Sequence, residues 1–396
     1  MPTAVTVDSL LEAVERIEPI LREHSAQAES RRRLSDAAAA AMKEAGLYRM
    51  WIPRAYGGLE VDPMTAHRVF EKVSRIDSAA GWNLALPTGN TLLPAFLDEQ
   101  AAAEIYGDAN GIVAAPFFPP VDAVPVEGGF HLTGRMPFAS ACHHCNWLIA
   151  MAHVVENGTA RTRADGEPET WLMALRSSDF EIIDHWNTVG MRGTGSHDVA
   201  VRDAFVPRHR AAPLVAQESR QSLPKGFEGP LYRCTVWPAV SALASIATGI
   251  ARAAIDELVA LATKKTPAYM PSSLSQRSLA QSQVAQAEAM LGAARAYLYE
   301  ALREVWENAV AGRFVEMQQK TKVELAAIHA AEAAADAVDL VHAAAGTSGI
   351  REEHCFERHF RDVHVITQHA YISANRYESV GKHLFGLESD WAFFEF

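Results

Sequence analysis

The chain has 396 residues, 49% of them hydrophobic, which is enough material for a large core in two or three domains. Its formal net charge is −12 and its only basic run is the short Arg31–Arg33, which argues against a nucleic-acid partner. No apolar run reaches about 18 residues, residues 1–29 lack the blocks of a signal peptide, and four cysteines do not suggest a disulfide framework. These features predict a cytoplasmic protein without a membrane or nucleic-acid partner.

The first 110 residues carry helical patterns. The apolar residues between Leu10 and Leu21 fall at helical spacing and predict a first helix with Ser9 as its N-cap. Pro19 should kink or divide this helix, because proline removes a backbone donor. Further helices are predicted at about 35–45 and 63–75, from Ser78 onwards with Asp77 as the cap, and around 100–106.

From about residue 112 to 213 the apolar residues alternate with a period of two, which indicates strands. Strands are predicted at Phe130–Thr133, Trp147–Val155, Trp171–Leu175 and Phe180–Ile183, with an exposed hairpin tip at 158–167.

From Trp237 onwards the pattern is helical again. Long helices are predicted at 237–264, 276–311 and 315–345, followed by shorter ones at 353–359 and up to about Phe385. Apolar stripes on more than one side predict a four-helix bundle that often continues across a subunit boundary. The predicted fold is therefore α+β and mostly α: an N-terminal helical domain (1–110), a middle β-barrel-like domain (111–214) and a C-terminal helical bundle (215–396).

The most informative stretch runs from Asp184 to Arg210. Its centre holds three glycines, Gly190, Gly193 and Gly195, which allow positive φ angles and a close backbone approach. Thr194 and Ser196 add hydroxyl groups, and Arg192 adds a fixed positive charge. Rimmed by Trp186 and followed by a strand, such a loop suits a flat ligand with polar edges. Taken alone, a β-turn of small residues explains it about as well.

A second distinctive stretch, residues 138–147, joins two predicted strands and reads Phe-Ala-Ser-Ala-Cys-His-His-Cys-Asn-Trp. Cys142 and Cys145 invite a metal interpretation. Zinc sites of this kind usually need a second ligand pair, and Cys234 and Cys355 are single and distant, so we predict no metal.

Together these stretches resemble the acyl-CoA dehydrogenase superfamily, and more closely its flavin-dependent monooxygenase branch, the oxygenase components of two-component aromatic hydroxylases. The match includes Trp186 with the Gly-hydrophobic-Arg-Gly-Thr-Gly-Ser run, and Phe138, Ala139, Ser140, His144 and Trp147; Ala141 replaces a more usual Gly. Because the order of helical, β and helical domains is also that of the superfamily, the resemblance covers nearly the whole chain. The flavin contacts that it implies are Phe138, Ala139, Ser140, Trp186, Arg192, Gly193, Thr194 and Ser196, with Gly346 and Thr347 reaching the flavin of a neighbouring subunit.

Residues 361–385 bear on which reaction the protein catalyses. Many acyl-CoA dehydrogenases carry a catalytic Glu after an Arg-Asp pair, and the equivalent position here is Ala370. Without a carboxylate there, removal of an α-proton has no obvious base. The monooxygenase branch has a His at this spacing, so the resemblance implies His369 as the base and Ser140 as the residue that polarises the substrate.

Other positions depart from the branch. Asn90 stands where several aromatic hydroxylases have a second His, and Ser373 stands where an acid is common. With His144, they are the predicted substrate contacts, and they are compatible with an indole-like or neutral aromatic substrate. The residue that replaces the family's flavin-contacting Arg near 264–277 is left open among Lys264, Lys265 and Tyr269.

No Gly-x-Gly-x-x-Gly follows a strand, so a tight NAD site is not expected. The resemblance implies reduced FAD or FMN from a separate NAD(P)H:flavin reductase, O2 as co-substrate, a small aromatic substrate and a homotetramer. Two alternatives remain open: an acyl-CoA dehydrogenase with its base elsewhere, and a non-catalytic flavin-binding or scaffold protein.

Overall fold

The computed structural model describes residues 6–107, 111–164, 166–214 and 223–396. Within these ranges the chain passes from helices to a nine-stranded sheet and back to helices. The predicted domain limits fall beside undescribed residues and stay a prediction. Residues 1–5 at the N-terminus, and Asp165 of the predicted hairpin tip, also lie outside the described ranges.

Five helices open the chain: α1 Val7–Arg31, α2 Asp36–Glu44, α3 Pro63–Ile76, α4 Ser78–Asn90 and α5 Glu99–Gly107. Pro19 does not divide the helix, because α1 continues through it from Val7 to Arg31. Pro19 lies on the exposed face of the helix. Val14 and Ile17 before the proline, and Leu21 after it, are buried on the opposite face. This packing holds the helix across the missing hydrogen bond. The N-cap is Thr6 rather than Ser9, which instead completes the capping box.

The strands are β1 Val113–Ala114, β2 Val121–Val126, β3 Gly129–Met136, β4 Trp147–Glu156, β5 Thr159–Ala160, β6 Thr170–Arg176, β7 Glu181–Ile183, β8 Asp198–Pro207 and β9 Ala211–Pro213. They form one sheet in the order β7-β8-β3-β2-β4-β6-β9, with β1 and β5 paired to β4. Strands β3 and β8 are antiparallel, with Met136 opposite Val199. The loop after β3 and the loop before β8 therefore emerge side by side, so both distinctive stretches meet at one end of the sheet.

The remaining helices are α6 Trp237–Ala262, α7 Ser278–Val310, α8 Met317–Ala345, α9 Phe356–Ile366 and α10 Arg376–Leu384. Helix α6 is long and apolar enough to cross a membrane by composition, but 89% of its most apolar window is buried inside the protein. It packs against α3 and α4 as well as α8 and α9, and so joins the two helical parts. His369 lies in the turn between α9 and α10, rather than on a helix with His364 and His383.

Candidate active site

A directed chain of hydrogen bonds lies where the two loops meet helix α4. Trp82 Nε1 is 2.9 Å from Ser140 Oγ, Ser140 Oγ is 2.8 Å from Ser196 Oγ, and Ser196 Oγ is 2.9 Å from Thr194 Oγ1. Thr194 Oγ1 donates to the Met191 carbonyl at 2.9 Å. An indole only donates and a carbonyl only accepts, so each hydroxyl must donate towards Met191. Ser140 has therefore used its only proton and can offer a ligand only an acceptor.

His369 also contacts Trp82, with the two ring centroids 5.6 Å apart in an edge-on arrangement. The backbone N–H of Tyr371 donates to His369 Nδ1 at 3.2 Å, and the two rings are 4.8 Å apart. Burial lowers the pKa of His369 to about 4, so the imidazole is neutral near neutral pH. Because Nδ1 accepts a hydrogen bond, the proton of the neutral ring lies on Nε2. Trp82, which the sequence interpretation did not select, connects the two predicted catalytic residues.

Phe138 and Trp186 form an aromatic wall beside this chain. Phe138 is 67% exposed and has a φ of 61°, and its ring lies 6.0 Å from that of Trp186 in an edge-on arrangement. The indole N–H of Trp186 donates to the Met191 carbonyl at 3.0 Å, which sets the indole orientation. A large ring held exposed in a left-handed backbone conformation is suited to contact a flat ligand.

The glycines of the loop mainly allow it to pack closely against the neighbouring helices. Only Gly195 has a positive φ, 58°, so the expectation of positive φ is wrong for Gly190 and Gly193. A Cβ on Gly190 would lie 2.4 Å from the Arg361 carbonyl oxygen, and one on Gly193 would lie 2.9 Å from the Ala79 Cβ. The close approach that requires these two glycines is thus to α9 and α4.

Asp362 fastens the same loop from α9. Its Oδ1 accepts the backbone N–H of Met191 and its Oδ2 accepts the Ser78 hydroxyl, each at 2.5 Å. Burial raises the pKa of this carboxyl to about 6, although both hydrogen bonds favour the ionised form. The sequence interpretation used Asp362 only as a frame for locating the base, and the structure gives it a role in connecting α4, α9 and the loop.

Several predicted site residues are engaged with the protein itself. Arg192 pairs with Glu29 at 3.5 Å and donates to the Thr188 carbonyl at 3.1 Å. The buried Asn90 side chain donates to the Val113 carbonyl at 2.9 Å.

The third predicted substrate contact, His144, points towards the connection between α1 and α2, with Nε2 3.1 Å from the Leu34 carbonyl. Ser373 lies beside the predicted base, with its N–H bonded to the His369 carbonyl at 2.9 Å. Of the three predicted substrate contacts, Ser373 is thus the one bonded to a predicted catalytic residue.

Gly346 and Thr347 lie apart from these loops, exposed at the end of α8. Lys265 donates to the Ala345 carbonyl at 2.7 Å and to Ser348 Oγ at 2.9 Å, so the 264–277 region and the Gly346 turn do lie together. Among the described residues, no hydrogen bond joins this pair to Ser140 or Trp186.

Cys142 and Cys145 are buried free thiols. Their Sγ atoms lie 3.5 Å from the carbonyl oxygens of Gly195 and Cys142, respectively. Burial raises the pKa of Cys142 to about 12 and that of Cys145 further. In the described ranges no group of three or more His, Cys, Asp or Glu residues is arranged to hold a metal ion.

Comparison with known families defines the class of protein. Residues 10–102 match the acyl-CoA dehydrogenase N-terminal domain and residues 241–374 match the acyl-CoA dehydrogenase C-terminal domain. The indole-3-acetate monooxygenase of Pseudomonas putida is 33% identical over 88% of this chain and 86% of its own. The chain therefore belongs to the acyl-CoA dehydrogenase family.

Within that family its relatives are flavin-dependent monooxygenases. The flavin-dependent monooxygenase oxygenase subunit HsaA of Rhodococcus jostii is 26% identical over 95% of this chain and 98% of its own. XiaF from Streptomyces sp., solved in complex with FADH2 and glycerol, superimposes with a TM-score of 0.89 at 27% identity over 97% of both chains. The predicted family, fold and class of enzyme are confirmed.

Proposed function

We propose that this protein is the oxygenase component of a two-component monooxygenase that hydroxylates a small aromatic substrate carrying an N–H or O–H group. The observation that carries the proposal is the directed chain from Trp82 to Met191, which leaves Ser140 as an acceptor, while the neutral His369 contacts the same indole. Bound reduced FAD or FMN supplies the activation of O2, as in other flavin enzymes. The P. putida relative, named for indole-3-acetate, supports an indole-like substrate.

The flavin lies against the wall of Phe138 and Trp186 in this proposal. The exposed Phe138 ring is available for a flat isoalloxazine, and the backbone of Ala139 and Ser140 continues from it. The hydroxyls of Thr194 and Ser196 and the backbone of Arg192 and Gly193 lie in the adjoining loop and contribute the polar contacts. The chain thus provides both an aromatic surface and hydrogen-bonding groups for a flavin.

The substrate N–H or O–H donates to Ser140 Oγ, and His369, which like Ser140 contacts Trp82, faces the same substrate. His369 presents Nε2–H in the tautomer that the Tyr371 contact selects, and it takes a proton only if that tautomer is exchanged. Ser373 lies next to the substrate through its contact with His369. We assign Asn90 and His144 to holding the walls of the pocket, because their side chains bond to backbone carbonyls.

A separate NAD(P)H:flavin reductase supplies the reduced flavin, and the oxygenase acts in the cytoplasm as a homotetramer. In the tetramer, the turn of Gly346 and Thr347, with Lys265 bonded to it, meets the flavin of another subunit. Light scattering coupled to size exclusion is expected to give four copies per particle. A stable monomer that binds flavin normally would contradict the shared site.

Stopped-flow absorbance tests the activity. The protein with reduced FMN or FAD is mixed with oxygenated buffer, with and without indole or phenol. We expect oxidised flavin to reappear more slowly than in free solution, and a hydroxylated product to form when substrate is present. Prompt reappearance, together with bleaching of oxidised flavin by an acyl-CoA, would favour the dehydrogenase. Flavin binding without product for any substrate or reductase would favour the scaffold protein.

A further inference from the structure

We propose that His197 is a positioning residue for flavin binding: its imidazole holds the backbone of Trp186 and thereby sets the aromatic wall. This inference rests on the proposed contact between Trp186 and the flavin. His197 follows the Gly-Thr-Gly-Ser run directly, and only 3% of it is exposed. It is not itself a candidate for ligand contact, because both of its ring nitrogens bond to protein groups.

Both ring nitrogens of His197 are occupied. Nδ1 lies 3.2 Å from the backbone nitrogens of His185 and Trp186, and both of these N–H groups donate to it. Nε2 lies 3.2 Å from the Arg32 carbonyl, to which it must donate. A neutral imidazole with its proton on Nε2 satisfies all three contacts, so the surroundings select one tautomer.

Arg32 completes the support of Trp186. It ends helix α1 in a left-handed conformation, with a φ of 52°. Its guanidinium donates to the Trp186 carbonyl at 3.2 Å and to Asp184 Oδ2 at 2.7 Å. With Nε1 bound to the Met191 carbonyl, Trp186 is held at its backbone N–H, its carbonyl and its indole. Arg32, which belongs to the basic run Arg31–Arg33, thus holds the loop that carries Trp186.

Protonation of His197 breaks this arrangement, because a proton on Nδ1 would face two N–H groups. Asp184 Oδ1 lies 3.4 Å from Nδ1 and favours the cation, as does the nearby Asp198. The hydrogen bond to the Arg32 carbonyl also favours the cation, whereas the charge of the Arg32 guanidinium opposes it. The His143 ring lies edge-on, with its centroid 5.1 Å away. Burial has the largest effect and lowers the pKa of His197 below its usual 6.5. Support for Trp186 is therefore present near neutral pH and is lost as the pH falls through that lowered pKa.

Two substitutions separate the roles of the ring nitrogens. In H197N the amide oxygen can replace Nδ1 as the acceptor and does not titrate, whereas H197Q places its amide near the Nε2 position. Oxidised FAD is titrated against each full-length variant at neutral pH, followed by fluorescence. We expect H197Q to weaken the Kd about tenfold, the equivalent of about 1.4 kcal/mol, and H197N to bind like the wild type.

The pH profile gives a second readout. The wild type is expected to lose FAD affinity on acidification, and H197N to lack that component, while H185N, which changes the exposed neighbouring imidazole, keeps it. Equal weakening and unchanged pH profiles in both His197 variants would overturn the proposal. W186A distinguishes a failure of the positioning role from a failure of the proposed flavin site. Undiminished FAD affinity in W186A would show that Trp186 does not contact the flavin. Weak binding in W186A with normal binding in H197Q rejects only the positioning role.

Discussion

Trp82 and Ser140 are 58 residues apart in the chain, and the indole N–H of Trp82 donates to Ser140 Oγ at 2.9 Å. The Met191 carbonyl can only accept, so Thr194 donates to it, Ser196 donates to Thr194, and Ser140 donates to Ser196. The same indole meets His369 edge-on. Trp82 therefore occupies one acceptor position of Ser140 and also contacts the His369 ring.

W82F tests the contact between Trp82 and Ser140, because phenylalanine keeps a ring but lacks the N–H donor. We expect kcat/KM for an indole or phenol substrate to fall about tenfold in W82F and in S140A, because each substitution removes a hydrogen bond that helps to orient the substrate. Product and released peroxide are measured together. S178A, at an exposed position, serves as the control, and unchanged coupling of product to flavin oxidation in S140A would remove Ser140 from the site.

His369 is tested with a matched pair, H369Q and H369N. Glutamine can place an N–H near the position of Nε2, whereas asparagine cannot reach it. If His369 only donates a hydrogen bond, H369Q retains most of the kcat and H369N does not. If it takes a proton, both variants lose activity, by about 100-fold or more. Activity equal to the wild type in H369A would reject both roles.

The contribution of His369 to kcat/KM depends on pH in a way that follows from the lowered pKa of its imidazole. Burial favours the neutral imidazole, and the pKa is about 4, so the contribution is present at higher pH and is lost as the pH falls through that value. The ratio of wild-type to H369Q kcat/KM should be constant between about pH 5 and 8. A drop in this ratio near the ordinary imidazole pKa would show that the ring is solvated.

Asp362 is expected to tolerate a neutral isostere better than truncation. D362A leaves the buried N–H of Met191 without its acceptor and should lose about 1–3 kcal/mol in urea unfolding, whereas D362N should lose less. Folding raises the pKa of this carboxyl to about 6, so the native state holds its proton more tightly than the unfolded chain. Relative to D362N, the wild type should therefore lose stability as the pH rises through about 6. Parallel pH profiles would contradict this.

Alanine substitutions at Gly190 and Gly292 are expected to change the stability in opposite directions. G190A places a methyl group against the Arg361 carbonyl and should weaken both stability and FAD binding, because the loop must move off α9. Gly292 lies inside α7 with nothing within 4 Å of an added Cβ, so G292A should stabilise by about 0.5–1 kcal/mol. Thermal unfolding and FAD titration measure the two effects, and a neutral G190A would show that the loop is not seated on α9.

Ala141 offers a stabilising substitution. It has a φ of 62°, a left-handed conformation in which the Cβ is disfavoured. A141G should raise the free energy of unfolding by up to about 1 kcal/mol, less the entropy that glycine adds to the unfolded chain. A loss of stability in urea unfolding would show that the methyl group, which is buried, contributes more by packing than the backbone strain costs.

The sequence alone was sufficient for the order of helices and strands, because apolar periodicity and helix caps act over a few residues. It also identified the two loops that meet at the site, and the family resemblance singled out Ser140, Trp186 and His369. Packing of α1 prevents Pro19 from dividing the helix. The expected positive φ was wrong at Gly190 and Gly193, where the neighbouring elements are distant in sequence. Trp82, Asp362 and His197 gained their roles only in the folded chain. Their partners come together through the β3–β8 pairing and the packing of α4 and α9, and such long-range contacts leave no local pattern.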